Sequence, residues 1–274
     1  MIANAAIQTN EILVVKIGGG EGVDLAGIVA DLAQVASERP VVVVHGVSAE
    51  ANRLCEELGV PVRTLTSPSG HSSRYTDIRT RDVFVEAARN VSDAVVTAFD
   101  AHGIPAQRVE RAIHGERKTA IRAVVDGRTR IIRDDYTGAI TGVDTAAVQT
   151  LLAEGIVPVL PPQAYSETDG VLNVDGDRAA ASVAGAVGAS DLVILSNVRG
   201  LYRDYANEDG LVRTVSGSQM TTAMDVWAQG RMKRKVLGAQ EALEGGVERV
   251  RVADGRTASP VNKALNGAGT MFTQ

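Results

Sequence analysis

The chain has 274 residues, 45% of them hydrophobic and 22% charged, with a formal net charge of −5. That composition supplies a sizeable core and a polar surface and excludes a disordered chain. The negative balance argues against bulk affinity for nucleic acid, and apolar runs far shorter than about 18 residues exclude a membrane span.

Residues 1–10 lack a basic stretch followed by an apolar one, so they read as a short polar extension and a cytoplasmic protein is expected. Residues 12–17 are an apolar, β-branched run ending in Gly18-Gly19-Gly20, and residues 24–38 repeat apolar side chains at helical spacing. The order recurs at residues 41–45, then Gly46, Val47 and Ser48, then a helix to about residue 58 with Ser48 as its N-cap. Two consecutive β-α units predict a parallel sheet with helices on its faces. Cys55, the one cysteine, sits in an apolar-periodic stretch and reads as core filler. A polar loop carrying Arg74 leads into a predicted helix over residues 80–102.

Between residues 105 and 143 the period changes. Residues 120–125 and 128–133 are β-rich runs joined by Asp126-Gly127, a pair suited to a tight hairpin turn. From Asp144 the alternation returns, with a helix over 144–154, strands over 156–160 and 171–174, a helix from Asp177 and a strand over 191–195. Residues 220–243 read as helix broken near Gly230, Gly245-Gly246 as a C-cap, and residues 248–253 as a late strand. A division into lobes 1–162 and 163–274 is expected.

Glycines directly after a strand let the backbone approach a phosphate, and the following helix points free N–H groups at the anion. Gly18 and Gly46 mark two such places. The chain contains no Gly-Lys pair, so it has no P-loop, and Val23 stands where a dinucleotide fingerprint starting at Gly18 needs glycine. Lys16 either delivers its ammonium beside a phosphate held by the glycines or points outward while the glycines only turn the chain; its position alone leaves both readings open. His45, His71, His102 and His114 show no metal-ligand spacing, so no zinc site is expected.

Five ordered stretches carry a resemblance: Val-Val-Lys16-Ile-Gly-Gly-Gly, Val-Val-His45-Gly, Asn173-Val-Asp-Gly-Asp177, Leu-Ser-Asn197-Val-Arg-Gly200 and Gly230-Arg-Met-Lys-Arg-Lys235. Over nearly its whole length the chain resembles the amino-acid kinase family, within it the N-acetylglutamate kinase group. It is most similar to the branch that phosphorylates aminoadipate linked to a small acidic amino-group carrier protein (LysW-like). The carrier branch is carried by Ser-Ala-Glu50, Arg-Lys-Thr119, Asp135-Tyr136-Thr137-Gly138 and the run from Gly230 to Lys235.

The resemblance implies a three-layer α/β/α sandwich with a mainly parallel central sheet, its first lobe holding the amino-acid substrate and its second ATP. It implies that Lys16 and Lys235 stabilise the transferring phosphoryl group and that Asp177 orients them, with N-capping of the following helix as a competing role for Asp177. Arg74 and Asn173 match the substrate-gripping positions, and a guanidinium can take an α-carboxylate with two parallel bonds. Gly46, Val47 and Ser48 line the second glycine site. Gly18, Gly19, Ser196, Asn197 and Gly200 are the expected phosphate and ATP contacts, with Mg²⁺ held mostly by phosphates and water. Val47 departs from the family's glycine: its side chain either crowds the phosphate or sits on a backbone that needs no positive φ.

Residues 111–133 contain seven Lys or Arg against two acidic residues, +5 in a chain of −5. Such a reversal suggests that Arg117, Lys118 and Arg122 steer an acidic carrier, with Arg231, Lys233 and Arg234 taking its acidic tail; a merely solvated hairpin is the alternative. A homodimer is the implied assembly. Kinase activity on free N-acetylglutamate and a non-catalytic sensor on the same fold are the competing functions.

Overall fold

A computed structural model describes residues 11–274 except Ser69, His71 and Asp126. The expectations for residues 1–10, His71 and the Asp126 turn position therefore lie outside the described residues.

β1 (Leu13–Ile17) runs parallel to β2 (Val41–His45) on one side and to β13 (Asp191–Ser196) on the other. These valine-rich and isoleucine-rich strands are buried from end to end, as expected of a parallel sheet covered on both faces. The full order is β14 (Thr214–Val215), β16 (Thr270–Thr273), β15 (Arg249–Asp254), β13, β1, β2, β10 (Val157–Leu160) and β5 (Ala106–Arg108). Only β15 and β16 pair antiparallel in it.

Alternate residues of each strand point to opposite faces, and each face has its own helices. Leu13, Val15, Ile17 and Val43 meet Ile28 and Leu32 of α1 (Leu25–Ala36), Phe99 of α3 (Ile78–Asp100) and Val261 of α8 (Pro260–Leu265). Val14, Val42, Val44 and Ile194 meet Val148 of α4 (Ala146–Ala153), Val183 of α5 (Gly176–Val187) and Val236 of α7 (Met232–Glu244). The result is the α/β/α sandwich. α2 (Ser48–Glu57) packs on α3 through Leu54, Cys55, Phe84 and Ala87, so Cys55 is the core filler that was expected. Ser48 is the first residue of α2 rather than its N-cap; Val47 occupies that place and makes no side-chain cap bond.

A second, four-stranded sheet holds β12 (Gly170–Asn173), β11 (Gln163–Ser166), β6 (Ile113–Arg117) and β9 (Gly138–Val143) in that order. Pairing of β11 with β6 and with β12 ties residues 163–173 by strand pairing to the first half of the chain. Two ribbons project beside it: β3 (Thr64–Thr66) with β4 (Ser72–Arg74), and the antiparallel hairpin of β7 (Ile121–Val125) and β8 (Arg128–Ile132). The break expected near Gly230 is present. α6 (Met220–Thr222) continues as π-helix to Trp227, Gly230 takes φ +50°, and α7 starts at Met232. Among the described residues no helix is long and apolar enough to cross a membrane.

Candidate active site

The carboxyl ends of β1, β2 and β13 lie together at the middle of the large sheet, where successive crossovers depart in opposite directions. Open α/β sheets place ligands at such a point. There the two glycine turns touch. A Cβ on Gly19 would lie 2.2 Å from the carbonyl carbon of Gly46, and one on Gly46 would lie 2.5 Å from the Gly19 nitrogen. Ala49 N–H donates to the Gly19 carbonyl at 2.7 Å and Gly46 N–H to that of Ile17 at 2.8 Å. Gly18 backs onto the Leu195 carbonyl of β13. Val47 takes φ −132° and is buried under Val83 and Phe84 of α3, so its backbone needs no glycine and its side chain belongs to that apolar cluster.

Three charged side chains occupy the space beside these turns. Lys16 lies on the β1 face that meets α5, and Asp177 is in the first turn of α5. Lys235 comes from the start of α7. α7 approaches so closely that a Cβ on Gly238 would lie 3.2 Å from the backbone of Asp177. The Lys16 and Lys235 ammonium groups reach opposite oxygens of the Asp177 carboxylate, at 2.9 and 3.0 Å. All three side chains are almost fully buried. The competing N-cap role falls to Asp175, which accepts from the N–H groups of Asp177 and Arg178 at 3.0 and 3.2 Å and leaves Asp177 to the lysines. Burial alone would raise the Asp177 pKa, but the two ammonium charges hold it well below the usual carboxylate range. Burial lowers the pKa of Lys235, opposed by Asp177. Two cations on one anion leave a surplus positive charge in a site of low dielectric, where it attracts an anion strongly.

His45 closes β2 directly before the second glycine turn. Its Nε2 meets Ser92 Oγ of α3 at 2.7 Å, and burial brings its pKa down to about 4. It is a neutral imidazole under the Gly46 turn.

On the β2 side, Arg74 reaches the Ser48 carbonyl at 3.4 Å and the Asn52 side-chain oxygen, while its Nη1 is buried with no partner among the described residues. Burial lowers its pKa. Asn173 donates to Thr76 Oγ at 2.9 Å, and Thr76 in turn donates to the Arg74 carbonyl at 3.2 Å, so the two residues share one small network. Thr76 carried no sequence signal. On the β13 side Ser196 is buried and Asn197 is exposed at the strand end. Gly200 is buried, and a Cβ there would lie 2.6 Å from Thr270 Oγ1, so the local packing requires glycine at this position.

The basic segment divides. Lys118 and Arg122 are exposed and line an open depression of about 520 Å³ with Ser67, Pro68, Ala120 and Ile121. Partial burial of its ammonium and repulsion from Arg178 and Arg234 lower the Lys118 pKa. Arg117 is engaged within the fold: its guanidinium stacks on Tyr136 at 4.1 Å, pairs with Asp169 at 3.2 Å and donates to the carbonyls of Asp135 and Arg133. Arg231 is exposed, Lys233 half-buried, and Arg234 pairs with Asp175 at 3.5 Å.

The sequence matches the family model described as "Amino acid kinase family" over residues 11–254. A [LysW]-aminoadipate kinase from Deinococcus radiodurans is 40% identical, with 97% of this chain and 93% of that protein covered. One from Thermus thermophilus is 41% identical, with 94% and 99% covered. The fold matches N-acetylglutamate synthase from Neisseria gonorrhoeae complexed with coenzyme A and N-acetyl-glutamate, at TM-score 0.79 and 27% identity. That match covers 97% of this chain, which spans 60% of the synthase chain. Carbamate kinase from Giardia lamblia bound to AMP-PNP shares the fold at TM-score 0.67 and 16% identity, over 97% of this chain and 99% of the other.

Proposed function

The chain belongs to the amino acid kinase family, and from that premise we propose that it transfers the γ-phosphoryl group of ATP to the side-chain carboxylate of aminoadipate carried on LysW, a small acidic protein. The product is an acyl phosphate on the route to lysine. The observation that carries this reading is the convergence of Lys16 and Lys235 on the two oxygens of Asp177, beside two glycine turns held in contact.

A carboxylate nucleophile is ionised at neutral pH, so the reaction needs no general base. Its difficulty is the approach of one anion to another. Positive charge and amide donors fixed in advance around the moving phosphoryl group lower that barrier. Lys16 and Lys235 supply the charge, Asp177 fixes their direction, and Gly18 and Gly19 offer backbone amides, the Gly46 N–H being held by the Ile17 carbonyl. The buried, unpartnered Nη1 of Arg74 supports its role as the grip for the substrate's α-carboxylate, with Asn173 alongside. Ser196 and Asn197 lie where the nucleotide would rest. The first half of the chain then holds the amino acid and the second half ATP. Among the described residues no group of three or more His, Cys, Asp or Glu side chains could hold a metal ion, so the donor set does not fit a caged magnesium. Magnesium enters with ATP as part of the substrate. Lys118 and Arg122 meet the carrier's acidic surface, Arg231, Lys233 and Arg234 lie toward its tail, and two copies of the chain form the assembly.

The test offers ATP with carrier-linked aminoadipate and, separately, with free N-acetylglutamate, following ADP release and hydroxamate trapping of the acyl phosphate. Efficient turnover of the carrier-linked substrate is expected; use of the free compound alone would defeat the reading.

A further inference from the structure

Asn173 has a neighbour on each side in the same sheet, and both carry a buried polar atom with nothing to bond. Gln163 of β11 is its antiparallel register partner, and Thr137 bridges it in parallel from the other side. Residues paired across strands present their side chains on one face. The next residues along, Ala164, Leu172 and Val174, belong to the core on the opposite face. Thr137, Asn173 and Gln163 thus form a row of three short polar side chains. Gln163 Nε2 and Thr137 Oγ1 are both buried with no hydrogen-bond partner among the described residues. The row abuts the three-charge centre: a Cβ on Gly176 would lie 3.6 Å from Pro162, the residue before Gln163, and 3.3 Å from Lys16 Cε. Its middle member, Asn173, connects to Arg74 through Thr76.

A buried amide N–H without an acceptor costs free energy unless a ligand supplies one. The row offers a donor, Gln163 Nε2, and a hydroxyl oxygen that accepts, Thr137 Oγ1, on either side of Asn173. That pattern is the complement of an amide bond, which presents one carbonyl oxygen and one N–H. We propose that Gln163 and Thr137 read the amide that joins the substrate's amino nitrogen to its acyl group, Gln163 donating to the carbonyl and Thr137 accepting from the N–H. The inference rests on the kinase reading above, and names the substrate class as N-acylated amino acids whatever the acyl group. A free amino acid, with an ammonium in place of the amide, can still donate to Thr137 but offers Gln163 no carbonyl.

The experiment measures kcat and KM for Gln163→Leu and Thr137→Val with carrier-linked aminoadipate, its ester-linked analogue and free N-acetylglutamate. In each variant, KM for whichever amide substrate is used rises about three- to tenfold while KM for ATP stays unchanged. The ester removes only the N–H, so it penalises the wild-type protein but not Thr137→Val, whereas Gln163→Leu loses equally on amide and ester. An unchanged amide KM, a shift in ATP KM, or an ester penalty that survives in Thr137→Val would overturn the proposal. Should the wild type use only free N-acetylglutamate, the carrier reading falls while the amide test still runs on that compound. Turnover of none of these substrates would defeat both.

Discussion

Lys16 and Lys235 lie far apart in the chain and share one carboxylate, so under the proposed function their effects on the reaction are expected to be coupled. Lys16→Ala or Lys235→Ala removes one fixed electrostatic donor, a loss of about 3–4 kcal/mol of transition-state stabilisation, or about 10²–10³ in kcat. Circular dichroism is expected to be unchanged, and the double variant should lose less than the product of the two, because residues acting as a unit are not additive. Wild-type rates from either single variant would remove the lysines from the chemistry. Burial lowers the pKa of Lys235, so its proton leaves at lower pH than from a free lysine. The kcat profile should therefore fall on its alkaline side below the usual lysine range near 10.4, and Lys235→Arg, which keeps its charge, should carry less of that fall. At this scale the motif residues were legible through the ordered stretches that carry the family resemblance, whereas the position of Lys16 after a strand and before three glycines left two readings open. Thr76, Gln163 and the Ser92 anchor of His45 were not legible. They act through side chains brought together from distant strands and helices, which no local spacing encodes.

The elements that alternate in period were readable, and the ones that depend on partners were not. Valine-rich runs and helical repeats marked β1, β2, β13, α1, α2 and α3, and the Asp-Gly turn marked the β7–β8 hairpin. The three-residue strands β3, β4 and β5 and the terminal β16 are too short to show a period, and exist because an adjacent strand completes their hydrogen bonds. The segment 111–133 shows the same limit. Its charge surplus is plain, but only the fold separates Arg117, locked on Tyr136 and Asp169, from the exposed Lys118 and Arg122. Charge reversal at Lys118 and Arg122 is expected to weaken binding of an acidic carrier and to flatten the dependence of its association rate on salt, with ATP KM unchanged. Surface plasmon resonance at two ionic strengths decides it; unaltered affinity and salt slope would dismiss the dock. Arg117→Ala should instead lower the melting temperature, since it removes a ring contact and three hydrogen-bonded anchors at once.

At the other end of the sheet a single buried carboxylate gathers three guanidinium groups. Asp191 pairs with Arg249 at 2.9 Å, Arg251 at 2.6 Å and Arg39 at 3.4 Å, linking β13, β15 and the turn before β2. Burial would raise its pKa, but the hydrogen bonds and charges of Arg249 and Arg251 hold it well below the usual range. A depressed native pKa makes this contribution complete above pH of about 4 and removes it as pH falls further toward the native value. Asp191→Asn should cost about 3 kcal/mol at pH 7, and the gap between variant and wild type should close in denaturant titrations as pH drops below about 4. A gap independent of pH would assign the loss to something other than the charge.

The β1–β13 seam joins the two halves by four parallel rungs, so no flexible tether separates them. Any change in their mutual angle has to be absorbed as extra coiling shared among the central strands, whose right-handed twist already provides a soft direction. On the proposed reading, approach of donor to acceptor is then a torsion of one continuous plate rather than the swing of two hinged bodies.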